Sequence, residues 1–347
     1  MKDPILGIIG GGQLGSLLSV AAKRIGIKTV ILSDDKNAPA KNFTEKFIFG
    51  DYDNKSITQE FIDSVDLVTY EFENIPFSIL QSINNEKTVL PKPEINSLIQ
   101  NRLTEKNFLN DINIQTTQYI SIKHIDELRE NENFLPGLLK TTTLGYDGKG
   151  QYKLNSARDI SNDIDFSKEY ILEKFINLKK EISVIITRFG NQKYEIYEPI
   201  ENVHEDQILK HSKIPADISE ELKIKSTEWS KKIVEDLDYI GTLCVEFFID
   251  KNDNLYANEI APRVHNSGHL TINSHNISQF ENHVRAVCGL EKIKTKKIYN
   301  AKMINLIGDD ILMYRNKKFS KNEFFFDYLK KEIKNKRKMG HLTIIEK

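Results

Sequence analysis

The sequence predicts an α/β protein in which a doubly wound parallel unit at the N-terminus is followed by a larger mixed region. The first observation is the opening segment, where the apolar run 5–9 is broken by glycines and followed by helical apolar spacing over 14–25. The second is the return of short apolar runs after each helical segment, which is typical of a Rossmann-like sheet. The third is a pair of strand-like runs around a short polar loop near residue 250, which predicts a β-hairpin.

The first domain is predicted to contain a parallel sheet and to end at a proline-rich segment. After the opening strand and helix, further strands are predicted at 29–32, 46–49 and 67–70. The segment 90–94 contains Pro91 and Pro93, which end one element and start the next. A single helix over 95–111, carrying Arg102 and Lys106, is predicted to follow.

The rest of the chain is predicted to alternate short strands with a few helices. The predicted strands are 119–122, 138–140, 170–175, 182–187, 243–250 and 255–260, with a glycine-rich turn over 144–151, a helix over 222–237 and an apolar segment over 284–289. The tail from residue 295 mixes short strands with a basic run at 330–338. No internal repeat is evident.

Composition and charge exclude several classes of protein. The 347 residues are 39% hydrophobic and 29% charged, and 49 Lys and Arg balance 50 Asp and Glu to a net charge of −1. Such a chain has no global field to attract nucleic acid or an anionic membrane. The two cysteines, Cys244 and Cys288, form no CxxC motif, so neither a disulfide framework nor a thiolate zinc site is predicted. With no signal peptide and no long apolar run, we expect a cytoplasmic protein.

The most informative feature is a pair of glutamates on the two strands near residue 250. If Asp250 stands opposite Leu255, the same register sets Glu246 opposite Glu259. Directly opposed carboxylates repel each other and need a shared proton or a cation. Oxygen ligands without His or Cys favour Mg²⁺, which commonly binds one or two carboxylates together with substrate phosphates. The alternative is a pair of solvated glutamates on an exposed face.

A second feature is the glycine-rich turn that follows Lys140. Three glycines within residues 145–150 allow a sharp turn that presents backbone N–H groups to a phosphate. Lys140 would place a positive charge beside it. The turn is not a Walker A loop, because no Gly-Lys-Ser/Thr follows. Alone, such a turn is more often a plain hairpin, but together with the glutamate pair it favours binding of a nucleotide with Mg²⁺.

A third feature supports a rival interpretation. Gly10-x-Gly12-x-x-Gly15 matches the dinucleotide fingerprint, and Asp34 lies at the spacing of a ribose ligand. This pattern would suit an NAD-dependent oxidoreductase. The rival leaves the glycine-rich turn and the glutamate pair unexplained.

Two further segments are candidate substrate sites. Residues 258–269 combine polar, cationic and small side chains directly after the second glutamate strand, as a substrate loop would. Glu73 follows a predicted strand of the first domain, at the edge where open α/β sheets bind ligands. The basic run 330–338 is either a solvated face or a local phosphate site.

Taken together, the motifs resemble the ATP-grasp enzymes, and among them the family of 5-(carboxyamino)imidazole ribonucleotide synthases. The matching segments are 10–15, 69–76, 145–151, 173–175, 181–184, 199–204, 241–246, 258–269, 278–283 and 337–341. They run in order along nearly the whole chain. The segment 258–269 together with 278–283 is the most specific of them, and the glycine fingerprint is the least.

The resemblance implies an ATP-grasp fold with an N-terminal Rossmann-like pre-ATP-grasp domain and a small C-terminal domain. The implied boundaries are 1–94, 95–290 with a lid at about 113–175, and 291–347. The implied reaction is the ligation of aminoimidazole ribonucleotide with bicarbonate, using ATP and Mg²⁺ (or Mn²⁺), through a carboxyphosphate. The product would pass to the mutase of purine biosynthesis. Because family members are commonly dimeric, we expect a homodimer, with no nucleic-acid or membrane partner.

The resemblance also implies roles for individual residues. The ATP contacts would come from Arg102, Lys140, Gly145, Tyr146, Asp147, Gly148, Lys149, Gly150, Gln151, Glu173, Lys174, Phe175, Ile176, Glu181, His204, Asn258 and Glu259. Mg²⁺ would be held by Glu246 and Glu259. The ribonucleotide would contact Glu73, Tyr146, Asp147, Arg263, His265 and Asn266, with Lys330 and Arg337 at its phosphate. The implied catalytic residues are Tyr146, Asp147, Lys149, Arg263, His265 and Asn266.

The chain departs from the family pattern at two positions. Ser16 stands where a basic residue is common, and Ala261 stands where many ATP-grasp enzymes have a metal-binding asparagine. Other functions stay open on sequence alone. They are another ATP-grasp carbon–nitrogen ligase, such as the formate-dependent glycinamide ribonucleotide transformylase, the dinucleotide oxidoreductase, and a non-catalytic nucleotide sensor.

Overall fold

Three β-sheets form the framework of the protein in a computed structural model that describes residues 3–145, 150–190 and 192–346. The described strands are β1 Ile5–Ile9, β2 Lys28–Ser33, β3 Lys46–Phe49, β4 Leu67–Tyr70, β5 Tyr119–Ile122, β6 Gly137–Thr141, β7 Gln151–Leu154, β8 Tyr170–Lys174, β9 Leu178–Phe189, β10 Lys193–Ile196, β11 Ile200–Glu205, β12 Ile208–Ile214, β13 Gly241–Asp250, β14 Leu255–Ala261, β15 Asn300–Ile307, β16 Glu323–Asp327 and β17 Lys338–Glu346. The described α-helices are α1 Gln13–Arg24, α2 Lys55–Asp63, α3 Phe77–Asn84, α4 Pro93–Gln100, α5 Arg102–Asp111, α6 Ile125–Glu130, α7 Glu220–Asp236, α8 Thr271–Ser274, α9 Gln279–Val287 and α10 Asp310–Arg315. Across these three stretches of chain, none of the helices combines the length and apolar character needed to cross a membrane.

The first sheet is parallel and has the strand order β3-β2-β1-β4. All four of its strands coincide with predicted ones. Its buried strands read as continuous apolar runs because helices cover the sheet. Pro93 is the first residue of α4, as the proline pair predicts.

The second sheet joins the middle of the chain to its end. Its strand order is β14-β13-β9-β11-β12-β15-β17-β16, with β10 paired to β9, and its pairings are antiparallel. Strands β15 to β17 lie in the predicted C-terminal domain, yet they continue the sheet of the central region. The boundary at residues 290 and 291 stays a prediction.

The third sheet has the antiparallel order β5-β8-β6-β7 and lies within the predicted lid region. It carries Lys140 on β6 and Glu173 on β8. Its own small core includes Leu139, Leu154 and Leu172, each at most 1% exposed. Burial of each large apolar side chain in this core contributes about 1.5–3 kcal/mol to the stability of the third sheet.

The predicted helix over 95–111 is interrupted, so that prediction was wrong. Asn101 has an extended backbone (φ −110°, ψ 119°), and its side chain accepts hydrogen bonds from the N–H groups of Leu103 and Thr104. It therefore caps a new helix, α5, instead of continuing α4. The break places Arg102 at the first position of α5.

The first domain packs on the central region through two helices. Leu14, Leu17 and Leu18 of α1 share one apolar cluster with Val284 and Val287 of α9. Because α1 begins directly after the glycine turn and α9 contacts the loop after β14, this packing sets the position of the glycine turn relative to that loop.

Candidate active site

A single cavity of about 770 Å³ brings together almost all of the predicted site residues that the structure describes. Those that line it are Glu73, Arg102, Lys140, Gly145, Gln151, Glu173, Lys174, Phe175, Ile176, Glu181, His204, Glu246, Asn258, Glu259, Arg263, His265, Asn266 and Lys330. Gly150 and Arg337 are described but are not among the lining residues. Tyr146, Asp147, Gly148 and Lys149 lie outside the described residues.

Glu246 and Glu259 stand directly opposite each other on β13 and β14, as the sequence predicts. The register that led to this prediction was nevertheless wrong, because Leu255 pairs with Ile249 and not with Asp250. A register shift, with Asn258 as the extra residue, restores the opposition of the two glutamates. Such a bulge redirects side chains at functional sites.

The two facing carboxylates repel each other unless a proton or a cation lies between them. Burial and the facing Glu259 raise the pKa of Glu246 to about 8. Glu246 Oε1 lies 3.1 Å from His265 Nε2, and Glu259 Oε2 lies 3.2 Å from Arg102 Nη1. Two oxygen donors of like charge, facing into a cavity, fit Mg²⁺, which takes its other ligands from water and phosphate. The described residues contain no cluster of three or more His, Cys, Asp or Glu arranged around a metal.

One end of the cavity is rich in cations. Arg102 also donates through Nη2 to the carbonyl of Gly145 at 3.0 Å, and its backbone N–H donates to Thr142. Lys140 is buried, and its Nζ lies 3.0 Å from Glu173 Oε2. Burial alone would raise the pKa of Glu173, but Lys140 and Lys106 lower it to about 2. This end of the cavity can neutralise the charge of bound phosphates.

Beside the cationic end, the cavity offers an apolar and partly exposed wall. Phe175 and Leu178 are exposed, and Lys174 and Ile176 flank Phe175 between β8 and β9. In the same cavity, His204 Nδ1 lies 2.7 Å from Glu181 Oε2. Burial opposes protonation of His204, but Glu181 raises its pKa above the usual value. An exposed aromatic and apolar wall above a polar pair suits a flat base attached to a hydroxyl-bearing sugar.

The glycine turn of the first domain holds a protein carboxylate. The buried side chain of Glu71 accepts hydrogen bonds from the backbone N–H groups of Gly12 and Gly15 at the N-terminus of α1. A Cβ on Gly12 would lie 2.6 Å from Glu71 Oε1, and a Cβ on Gly10 would lie 2.4 Å from Glu71 Cγ. In a dinucleotide-binding protein this helix end would take the pyrophosphate. Because Glu71 fills it, the fingerprint does not indicate a dinucleotide site here.

A bidentate ion pair organises another part of the cavity lining. Nε and Nη2 of Arg263 donate to the two carboxylate oxygens of Glu73, the second at 3.1 Å. The pair joins the first domain to the loop after β14. Asn96 and Gln100 of α4 donate to the backbone carbonyl of Glu73 and hold it in place.

The loop after β14 is held by hydrogen bonds to α9 and by contacts within the loop. The side chain of Gln279 accepts from the N–H of His265 and donates to its C=O. The N–H of Ser267 donates to His265 Nδ1, which assigns the ring proton to Nε2, where it faces Glu246. Burial also lowers the pKa of His265 well below its usual value. His265 therefore orients Glu246 as a neutral donor.

Asn266 lines the cavity, but its side-chain amide is hydrogen-bonded to the amide of Asn305. Its Nδ2 donates to Asn305 Oδ1 at 3.1 Å, and Asn305 Nδ2 donates back to Asn266 Oδ1 at 2.6 Å. The contact connects the loop to β15. Asn266 thereby joins the substrate loop to the C-terminal strands.

The two residues predicted at the ribonucleotide phosphate differ in position. Lys330 Nζ donates to Gln13 Oε1 at 2.8 Å and to the carbonyl of Lys338 at 2.7 Å, at the rim of the cavity. The half-buried Arg337 donates to the carbonyl of Glu332 at 3.3 Å. The structure therefore brings Lys330 to the cavity, together with Lys338, the last residue of the basic run predicted as a possible phosphate site.

Several polar residues at the site were not assigned from the sequence. Glu71 and Glu105 line the cavity, and Lys106 lies 3.7 Å from the lining residue Glu173. Glu105 is buried, accepts from the N–H of Ile260, and has its pKa raised to about 8 by burial and by Glu259. The four-residue spacing of Arg102 and Lys106, which sets both on one helix face, was the available signal for Lys106.

Comparison with known proteins matches three family models in sequence order. The ribonucleotide synthetase preATP-grasp domain matches residues 1–100, the ATP-grasp domain matches 107–280, and the phosphoribosylaminoimidazole carboxylase C-terminal domain matches 301–347. These matches confirm the predicted fold class.

Relatives and solved structures match over the full length. The N5-carboxyaminoimidazole ribonucleotide synthase of Brucella melitensis is 40% identical, covering 98% of this chain and 96% of the relative, and that of Bacillus subtilis is 35% identical, covering 99% and 91%. The N5-carboxyaminoimidazole synthetase of Staphylococcus aureus complexed with ADP has a TM-score of 0.93 at 35% identity, covering 99% of this chain and 93% of that one. The Aspergillus clavatus synthase in complex with ADP and 5-aminoimidazole ribonucleotide has a TM-score of 0.92 at 28% identity, covering 99% and 94%.

The resemblance drawn from the motifs is thus confirmed by full-length relatives. The chain belongs to the N5-carboxyaminoimidazole ribonucleotide synthase family of ATP-grasp proteins and is a ligase that forms carbon–nitrogen bonds.

Proposed function

We propose that this chain carboxylates 5-aminoimidazole ribonucleotide with bicarbonate, driven by cleavage of ATP to ADP and phosphate. The observation that carries the proposal is the arrangement within one cavity of a cationic end, a facing glutamate pair and a bidentate Glu73–Arg263 pair. A triphosphate and a second anionic substrate can meet there. The Aspergillus clavatus relative, described with ADP and 5-aminoimidazole ribonucleotide, supports the same two ligands for this chain.

ATP would lie along the cationic end and the apolar wall. Arg102 and Lys140 would contact the phosphates, with residues 145–151 covering them. The base would lie against Phe175 and its neighbours, Lys174 and Ile176. The Glu181–His204 pair would bind the ribose, because a carboxylate accepts hydrogen bonds from two hydroxyls.

The ribonucleotide would lie at the opposite end, near Glu73, Arg263 and His265. Lys330 at the cavity rim supplies charge for its phosphate. A contribution from Arg337 stays a prediction, as do the roles of Tyr146, Asp147 and Lys149.

The reaction would proceed in two displacements. A bicarbonate oxygen attacks the γ-phosphorus of ATP, the bond to ADP breaks, and carboxyphosphate forms. The exocyclic amine of the ribonucleotide then attacks the carboxyl carbon, inorganic phosphate leaves, and the nitrogen loses a proton. The chain's own contribution is to neutralise the phosphates with Arg102 and Lys140, to hold the amine near the intermediate, and to exclude water from it.

Glu246 and Glu259 would hold Mg²⁺ (or Mn²⁺), with His265 orienting the first and Arg102 the second. The ion, when bound, supplies additional positive charge to the phosphates. Asn258, the extra residue of the bulge, lies beside Glu259 and lines the same cavity.

The remaining expectations are also proposals. We propose a cytoplasmic homodimer of chains with domains 1–94, 95–290 and 291–347, whose product passes to the mutase of purine biosynthesis. No nucleic-acid or membrane partner is proposed. The near-zero net charge supports this absence of an anionic polymer as a partner.

The test is phosphate release measured with and without 5-aminoimidazole ribonucleotide at a defined bicarbonate concentration. We expect release to depend on both. Release that depends on glycinamide ribonucleotide and formate instead would favour the transformylase alternative, and ATP binding without turnover would favour a sensor. NAD binding is opposed by the Glu71 carboxylate in the glycine turn.

A further inference from the structure

Lys106 is a buried cation that the proposed reaction does not use. It lies on α5 and is 1% exposed, and its Nζ donates to Thr117 Oγ1 at 3.2 Å. The same nitrogen lies 3.7 Å from Glu173 Oε1. A buried ammonium without a function would cost stability, so its position calls for a physical account.

The two oxygens of Glu173 have unequal partners. Oε2 accepts from Lys140 at 3.0 Å and from Thr117 Oγ1 at 3.3 Å. Oε1 is buried and accepts no hydrogen bond from the described residues, and the charge beside it is Lys106. One carboxylate therefore lies between two ammonium groups, which leaves one positive charge in excess.

The two lysines differ in their access to the cavity. Lys140 lines the cavity, whereas Lys106 lies behind Glu173, away from it. An anion entering the cavity therefore meets Lys140 first. When Lys140 turns towards that anion, Glu173 would be an unpaired buried carboxylate unless another cation held it.

We infer that Lys106 is a positioning residue that holds the Glu173 carboxylate and so releases Lys140 to the phosphates of ATP. The inference rests on the proposed function, because it assumes that ATP is the anion. Lys106 needs to approach Glu173 Oε1 by less than one ångström to form a hydrogen bond.

The position of Lys106 in the fold suits this role. Lys140 and Glu173 lie on neighbouring strands of the third sheet, whereas Lys106 comes from α5, one helical turn after Arg102. α5 is attached to the metal-site strand, since Glu105 accepts from the N–H of Ile260. Lys106 thus connects α5, which carries Arg102, to the third sheet, which carries Lys140. It thereby fixes the distance between these two phosphate-binding residues.

The experiment is a double-mutant cycle on ATP binding in the full chain, with Lys106→Met, Glu173→Gln and the double variant. We expect Lys106→Met to weaken ATP binding, measured by calorimetry, by about ten- to a hundredfold, since Glu173 then retains Lys140. The KM for the ribonucleotide should change by no more than about twofold, because that substrate lies at the other end of the cavity. In the Glu173→Gln background, Lys106→Met should change ATP binding by no more than about threefold.

A merely structural Lys106 gives a different pattern. Equal losses in both backgrounds, or no loss in either, would overturn the inference, while normal ATP binding by the wild type leaves the proposed function standing. A wild type that binds no ATP would instead remove the proposed function. Lys232→Met, which removes an exposed lysine of α7, is the matched control. If Lys106→Met does not fold in a thermal melt, Lys106→Gln keeps a polar partner for Thr117 and carries the same test.

Discussion

Glu73 and Arg263, 190 positions apart in the chain, form a bidentate ion pair that joins the first domain to the loop after β14. A planar guanidinium matches the two carboxylate oxygens in a way that an ammonium cannot. The pair therefore fixes the geometry of the cavity at the end where the second substrate is proposed to bind.

Replacing either partner should affect the ribonucleotide more than ATP. We expect Arg263→Lys and Glu73→Gln each to raise the KM for the ribonucleotide by about tenfold, since one of two parallel hydrogen bonds is lost. Binding of ADP, measured by calorimetry, should stay within about twofold. Glu281→Gln is the control, because its pair with Arg285 on α9 lies away from the cavity. An equal effect of that control would show that the loss is not specific to the site.

The facing glutamates should both be essential. Glu246→Ala and Glu259→Ala are each expected to reduce ribonucleotide-dependent phosphate release by about a hundredfold or more, because charge stabilisation at the phosphates is lost. The measurement is the rate as a function of Mg²⁺ concentration. Glu205→Ala, at an exposed position on β11, should leave the rate unchanged. A full rate in either site variant contradicts the assignment.

The glycine turn should tolerate no side chain at Gly12. Its backbone (φ −77°, ψ −160°) suits any residue, so the cost of Gly12→Ala comes from the 2.6 Å approach to Glu71. We expect a loss of about 1–3 kcal/mol in the free energy of unfolding, measured by urea denaturation. Gly190→Ala, where a Cβ would meet no atom of the described residues within 4 Å, is the matched control. Similar losses in the two variants would contradict the account.

Two buried histidines should make stability depend on pH. Burial lowers the pKa of His283 and of His341 to about 3. In the unfolded chain they would titrate near 6.5. Below that pH the unfolded state binds more protons than the folded state, so their stabilising effect is complete above pH 6.5 and is lost as the pH falls towards 3.

The measurement is the free energy of unfolding of the wild type and of His283→Gln between pH 4 and pH 7. The difference between the two should shrink by about 1.4 kcal/mol per pH unit as the pH falls below the unfolded-state value. His124→Gln, at an exposed position, is the comparison variant. A constant difference across this range would contradict the prediction.

The sequence predicted those elements whose local hydrophobic pattern matches the secondary structure that the segment adopts. The four strands of the first sheet are continuous apolar runs, and each was found where the pattern indicated. The opposition of Glu246 and Glu259 was also predicted, although through a register that was off by one residue. The bulge at Asn258 corrected it. A bulge depends on pairing with neighbouring strands, and local sequence does not specify that pairing.

The parts that the sequence did not predict depend on contacts between distant segments. The break at Asn101 follows from its side chain capping α5, although an asparagine is also tolerated within a helix. The glycine fingerprint suggested a dinucleotide, because nothing near residue 12 indicates that Glu71 occupies the turn. Lys106 and Glu105 look like ordinary helix-surface charges until the third sheet and β14 pack over them.

The continuous second sheet has a consequence for shortening the chain. β15 hydrogen-bonds to β12 and is itself covered by β17 and then β16. Ending the chain before Asn300 would leave β12 as an exposed edge strand. Its unpaired amide and carbonyl groups would then pair with strands from other molecules. It would also remove Asn305, which is hydrogen-bonded to Asn266. The last segment therefore protects the edge of the sheet, and a chain that ends before Asn300 should aggregate as well as lose Lys330 and Lys338 from the cavity.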